Sequence, residues 1–111
     1  DRIQCEIGDK KINYEYSDGF FRGENNSFKI LDISQNLYNL VGDEISFESL
    51  YRSLLGIRFY SKSKLQYEFK IGKRGEDLVL HRTDKEYIYL LGEISKVAIR
   101  NLQNICEAPN E

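Results

Sequence analysis

Cysteine occurs only twice in the chain, at Cys5 and Cys106, so a bond between them would tie the first element to the last and restrict every topology in between. Such a bond would close a loop of about 100 residues and contribute up to roughly 4–5 kcal/mol in the chain-entropy description. Pairing requires an oxidising compartment, and the other reading is two reduced, buried thiols. The chain starts at Asp1 and has no methionine. That is the pattern expected of a processed chain that has lost a secretory signal peptide. A periplasmic or secreted protein with Cys5 bonded to Cys106 is therefore the expectation.

The segments that hold these cysteines differ in period. Ile3, Cys5 and Ile7 alternate with polar Gln4 and Glu6, and Ile12, Tyr14 and Tyr16 alternate with Asn13 and Glu15, which puts each set on one face of a half-buried strand. Gly8-Asp9-Lys10 and Asp18-Gly19 are turn signals, and "FKIL" after "GENNS" reads as a returning strand. Further on, Leu65, Tyr67, Phe69 and Ile71 alternate with Lys64, Gln66, Glu68 and Lys70. "GKRG" reads as a turn holding Lys73 and Arg74 at its tip, and "DLVLHR" and "EYIYLL" follow as strands across Thr83-Asp84-Lys85. Cys106, in contrast, ends "EISKVAIRNLQNIC", where Ile94, Val97, Ala98, Leu102 and Ile105 recur at helical spacing after Gly92.

Two more helices are expected in the middle. "SFESLYRSLLG" carries Phe47, Leu50, Tyr51, Leu54 and Leu55 at helical spacing between Ser46 and Gly56. "DISQNLYNLVG" repeats the pattern with Asp32 as its cap. The fold class that follows is α+β: an antiparallel β-meander sheet with a helical pair inserted in the middle and a C-terminal helix, closed by the terminal disulfide. With 111 residues the chain has room for a single domain, 1–111. No apolar run is long enough to span a membrane.

Charge is unevenly spread. Between Arg58 and Arg74 there are six cations (Arg58, Lys62, Lys64, Lys70, Lys73, Arg74) and one anion, Glu68, while the whole chain has a net charge of −2. The segment is thus +5 and the remainder −7. Lysines on a strand's solvent face guard against edge-to-edge pairing. The interleaved Phe59, Tyr60 and Tyr67 also suit a contact surface, since Tyr and Arg are enriched in interface hot spots. On the second view Tyr60, Lys62, Lys64, Lys73 and Arg74 form the binding surface for an acidic protein partner. An isoelectric point near 5.5 argues against a nucleic-acid backbone binder.

The residue types that do chemistry are sparse. His81, the single histidine, sits in an expected strand with no Cys, His or paired carboxylate at metal-ligand spacing. "GKRGED" lacks the spacing and the Lys-Ser/Thr ending of a phosphate-binding loop. Asp43, Glu44 and Glu48 are placed to favour a helix N-terminus. No catalytic group, cofactor or metal is expected. Asn25-Asn26-Ser27 matches the acceptor pattern for N-glycosylation in eukaryotic secretory proteins.

"SLLGIRFY" at its end, followed by "YEFKIGKRGEDLVLHR" and with cysteines near both ends, resembles the small periplasmic inhibitors of C-type lysozyme, whose Ser-Gly and Lys-Gly loops enter the lysozyme cleft. Leu55 stands where that pattern has Ser before Gly, no Trp follows, and residues 46–55 read as helix where that family has β structure. The chain is therefore not assigned to it. The functional expectation is a non-enzymatic exported binding protein, an inhibitor or immunity protein masking a toxin or hydrolase through the basic hairpin. The alternative is a module binding a small ligand or an envelope component between sheet and helices.

Overall fold

A computed structural model describes residues 1–40, 42–46, 51–84 and 87–106. The strands are β1 (Arg2–Ile7), β2 (Lys10–Ser17), β3 (Phe20–Arg22), β4 (Ser27–Phe28), β5 (Gly42–Ser46), β6 (Arg52–Ser61), β7 (Lys64–Arg74), β8 (Asp77–Arg82) and β9 (Tyr87–Leu91). Two helices accompany them, α1 (Ile30–Tyr38) and α2 (Ser95–Ile105). All pairings are antiparallel, in the order β4-β3-β2-β1-β6-β7-β8-β9-β5. The α+β class, the antiparallel meander, the C-terminal helix and the Cys5–Cys106 bond are all present.

The turn chemistry explains the N-terminal meander. Asp18 and Gly19 have φ of 52° and 86°, the left-handed pair that a two-residue hairpin between Ser17 and Phe20 requires. The meander ends at the two-residue β4, because Ile30 and Leu31 of "FKIL" already belong to α1. Asp32 does not precede this helix as its cap. It sits in the first turn, where its carboxylate accepts the Lys29 backbone N–H at 2.9 Å.

α1 joins β4 at one edge of the sheet to β5 at the other. In a flat sheet eight interstrand spacings separate those edges by about 38 Å. The connection from Phe28 to Gly42 is mostly helix and reaches only about 33 Å. The sheet therefore curls, and one buried cluster fills its concave side: Ile3, Cys5, Tyr14, Phe21, Phe28, Leu55, Ile57, Ile71 and Leu91 against Ile33, Ile99, Leu102 and Cys106 of the helical layer.

α2 is held to this layer at its C-terminus. The Ile105 carbonyl, one of the four a helix leaves without an intrahelical partner, accepts the Tyr14 hydroxyl at 3.3 Å and the Asn26 side-chain amide at 2.9 Å. The next residue, Cys106, is bonded to Cys5 with a Cα–Cα distance of 5.7 Å. The buried stripe of α2 is Ser95, Ala98, Ile99 and Leu102, so Ile94 and Val97, expected on the core face, are exposed instead.

The second of the two middle helices is the main departure. Residues 47–50 lie outside the described residues, but Arg52 to Leu55 are strand β6, paired with β7, and Ser46 ends β5. β6 is central in the sheet, with β1 on one side and β7 on the other, and those non-local backbone bonds outweigh the local helical spacing.

β8 and β9 are covered on both faces. Leu78, Leu80 and Tyr89 pack against the main cluster, while Val79, His81 and Ile88 point the other way and are also buried. That is why "DLVL" and "YIYLL" are nearly continuous apolar runs.

Candidate functional site

β6 and β7 are the longest strands of the sheet, ten and eleven residues, and their shared hairpin outruns its neighbours. β1 pairs with β6 only over Gly56–Tyr60, and β8 pairs with β7 only from Phe69 onward. Residues 64–67 thus pair with β6 alone and form a short open edge. A register shift at Phe59/Tyr60 marks a bulge near the tip.

Lys62 and Ser63 make the two-residue turn, with φ of 52° and 66°. Both are left-handed, a conformation that costs a non-glycine residue roughly 1–2 kcal/mol. Around them Lys64 is exposed, Tyr67, paired with Phe59, is 53% exposed on the face that farther along the strand becomes core, and Leu65, paired with Tyr60 across the bulge, is 50% exposed. Tyr60 is half-buried because the Arg2 guanidinium lies over its ring, 4.2 Å from the centroid. Asp1, Arg2, Glu15, Tyr16, Tyr60 and Ser63 line a groove of about 300 Å³ beside the tip.

Of the five residues expected to form the partner surface, the structure brings Tyr60, Lys62 and Lys64 together. Lys73 and Arg74 lie at the far end of β7, about 30–34 Å from Lys64 by strand rise alone. The turn there is Gly75–Glu76, since Arg74 still pairs with Asp77 and Gly75 carries the positive φ. Lys73 faces Arg52 directly across the β6–β7 ladder. One basic run in sequence therefore makes two separate patches.

Arg58 belongs to neither patch. On the outer face of the sheet it donates to Glu6 and Gln4, each at 3.0 Å, and to Glu68, and Gln4 in turn donates to Asn13 at 3.1 Å. Burial works against the guanidinium's charge, but its bonds to Glu6 and Glu68 outweigh that and raise its pKa. The ladder runs across β2, β1, β6 and β7 and consumes the cation structurally. Its members are remote in sequence, so composition alone could not separate Arg58 from the free lysines.

His81 is packed rather than poised. Its Nδ1 lies 2.7 Å from the Tyr51 hydroxyl, and the Tyr51 ring covers Gly72, where a Cβ would meet that ring at about 2.3 Å. The Tyr51 hydroxyl is pushed above its ordinary range by burial, and further by the charge of Glu68. The two groups are hydrogen-bonded, with the donor set by the His81 tautomer. Among the described residues no group of three His, Cys, Asp or Glu side chains is placed to hold a metal ion, and no helix is long and apolar enough to cross a membrane.

Arg2, Tyr16, Leu65 and Tyr67 complete the tip. Leu65 and Tyr67 were expected to face the core, and half of each is exposed because the hairpin runs past the helical layer. No protein-family model, curated protein or solved structure matches the chain, so the functional reading rests on these residues.

Proposed function

We propose that the protein is a non-enzymatic, exported binding protein, an inhibitor or immunity-type protein that masks a toxin or hydrolase by docking the β6–β7 tip onto an acidic surface. The observation that carries this reading is the turn itself. Lys62 and Ser63 occupy two left-handed positions where Asn-Gly would sit without strain. Keeping a lysine there costs stability, and a side chain that is useful at the tip offsets that cost. The adjoining open edge, the exposed Leu65 and Tyr67, and the cations Arg2, Lys62 and Lys64 suit recognition by an apolar centre with a basic rim.

The placement of the exposed residues favours this reading over a ligand pocket under the helices. The space between sheet and helices holds the buried cluster of Ile3, Cys5, Ile57, Ile71, Ile99 and Leu102. The Cys5–Cys106 bond supports the exported location.

Reversing charge at the tip tests the proposal. With a partner isolated by capture on the immobilised protein, Lys62→Glu combined with Lys64→Glu slows association about tenfold at low salt. That difference shrinks at physiological ionic strength, where screening acts over about 8 Å. Lys73→Glu with Arg74→Glu, at the far end of β7, leaves association nearly unchanged. Equal slowing by both pairs would mean that net charge, and not the tip, governs the encounter.

A further inference from the structure

The loop between β3 and β4 is anchored at both ends and presents its middle to solvent. A Cβ at Gly23 would lie about 2.5 Å from the Tyr14 ring, so the backbone there is pressed onto the core. The Gly23 N–H donates to the Asn26 carbonyl at 2.9 Å, and the Asn26 side-chain amide nitrogen donates to the Ile105 carbonyl at 2.9 Å. Glu24 and Asn25 remain outside, both exposed, and no hydrogen bond engages the Asn25 side chain among the described residues. Ser27, two positions on, is exposed at the start of β4. Asn25-Asn26-Ser27 is the single Asn-x-Ser/Thr in the sequence, and it falls on a turn whose neighbouring asparagine is occupied and whose acceptor asparagine is free.

We infer that Asn25 is an N-glycosylation site. The inference rests on the exported location proposed above, in its secreted form, and the disulfide is the mark of a compartment in which such transfer occurs. In the reaction the Asn25 Nδ2 forms a bond to the anomeric carbon of the first sugar of a polyisoprenyl-pyrophosphate-linked oligosaccharide. The anomeric C–O bond breaks, the lipid pyrophosphate leaves with its electron pair, and an amide proton passes to a base on the transferase.

The position has a physical use. β4 is one edge of the sheet, and an edge presents backbone donors and acceptors to any other strand. β4 is only two residues long, and a glycan on the preceding loop would cover the edge that its shortness leaves open. Glu24 and Asn25 border Lys10–Asn13. This is the opposite end of β2 from Tyr16 and the hairpin tip, which a glycan at Asn25 therefore leaves clear.

Intact mass of the protein recovered from the secretory pathway of its own cells, before and after peptide-N-glycosidase, tests the inference. The expected result is a mass above that of the unmodified polypeptide by hexose and N-acetylhexosamine increments. Enzyme treatment collapses it, leaving residue 25 about 1 Da heavier as its amide becomes a carboxylate. Ser27→Ala abolishes the increment without altering secretion. Secreted, disulfide-bonded protein whose Asn25 peptide is wholly unmodified overturns the inference and leaves the exported reading standing. Protein retained in the cytosol with both thiols free to alkylation overturns both.

Discussion

Replacing Cys5 and Cys106 together by alanine lowers the free energy of unfolding by up to about 4–5 kcal/mol, the loop-closure entropy of a cross-link between residues 101 positions apart. The protein still folds, because α2 keeps other anchors. Ile99 and Leu102 stay in the core, and the Ile105 carbonyl keeps its bonds from Tyr14 and Asn26. Urea titration of parent and double variant, with circular dichroism as the readout, gives the difference. A change within about 0.5 kcal/mol, the scale of an ordinary surface substitution, would mean that the bond constrains little in the unfolded chain.

Leu55→Ala costs about 2–5 kcal/mol, whereas its neighbour Leu54→Ala costs roughly 1 kcal/mol or less. Leu54 falls at the register shift between Ser53 and Leu55 and has no ladder partner on β7. Leu55 points into the core, is fully buried and pairs with Ile71, while Leu54 is only half-buried. In the helix expected from the spacing of Phe47, Leu50, Tyr51, Leu54 and Leu55, both leucines would share the buried stripe and cost similar amounts. Chemical denaturation of the two variants separates the cases. Comparable large losses would restore the helix.

That segment also shows where the sequence stops being informative. Two adjacent apolar pairs, 50/51 and 54/55, fit a helical period. Leu54 and Leu55 fit equally a strand in which the register shifts between Ser53 and Leu55. The choice is made by β1 and β7, whose pairing partners on β6 are distant in sequence. β1, β2 and β7 were legible because period-2 alternation and Asp18-Gly19 are local signals. α2 was legible as a helix but not its rotation, which the disulfide and the docking of Ile99 decide.

The candidate site was legible in part for the same reason. Tyr60, Lys62 and Lys64 flank one turn, and that turn is local. Lys73 and Arg74 stand a full strand length away, a separation that the alternation from Leu65 to Ile71 already implies. Arg58 is neutralised by Glu6, from a strand that becomes its neighbour only when the sheet assembles, together with Glu68. Arg2 reaches Tyr60 through the same pairing of β1 with β6.

The docking role of the tip is tested most directly by changing the turn's chemistry while relaxing its backbone. Lys62→Asn with Ser63→Gly supplies the residues that two left-handed positions favour. Opposite movements are expected in one variant: stability rises by about 1 kcal/mol as strain is relieved, while affinity for the captured partner falls about tenfold. Thermal unfolding and binding kinetics on the same preparation read both. A more stable variant that binds the partner as tightly as the parent would contradict the account, leaving the hairpin as a solvated strand pair whose lysines serve only to keep its edge from pairing.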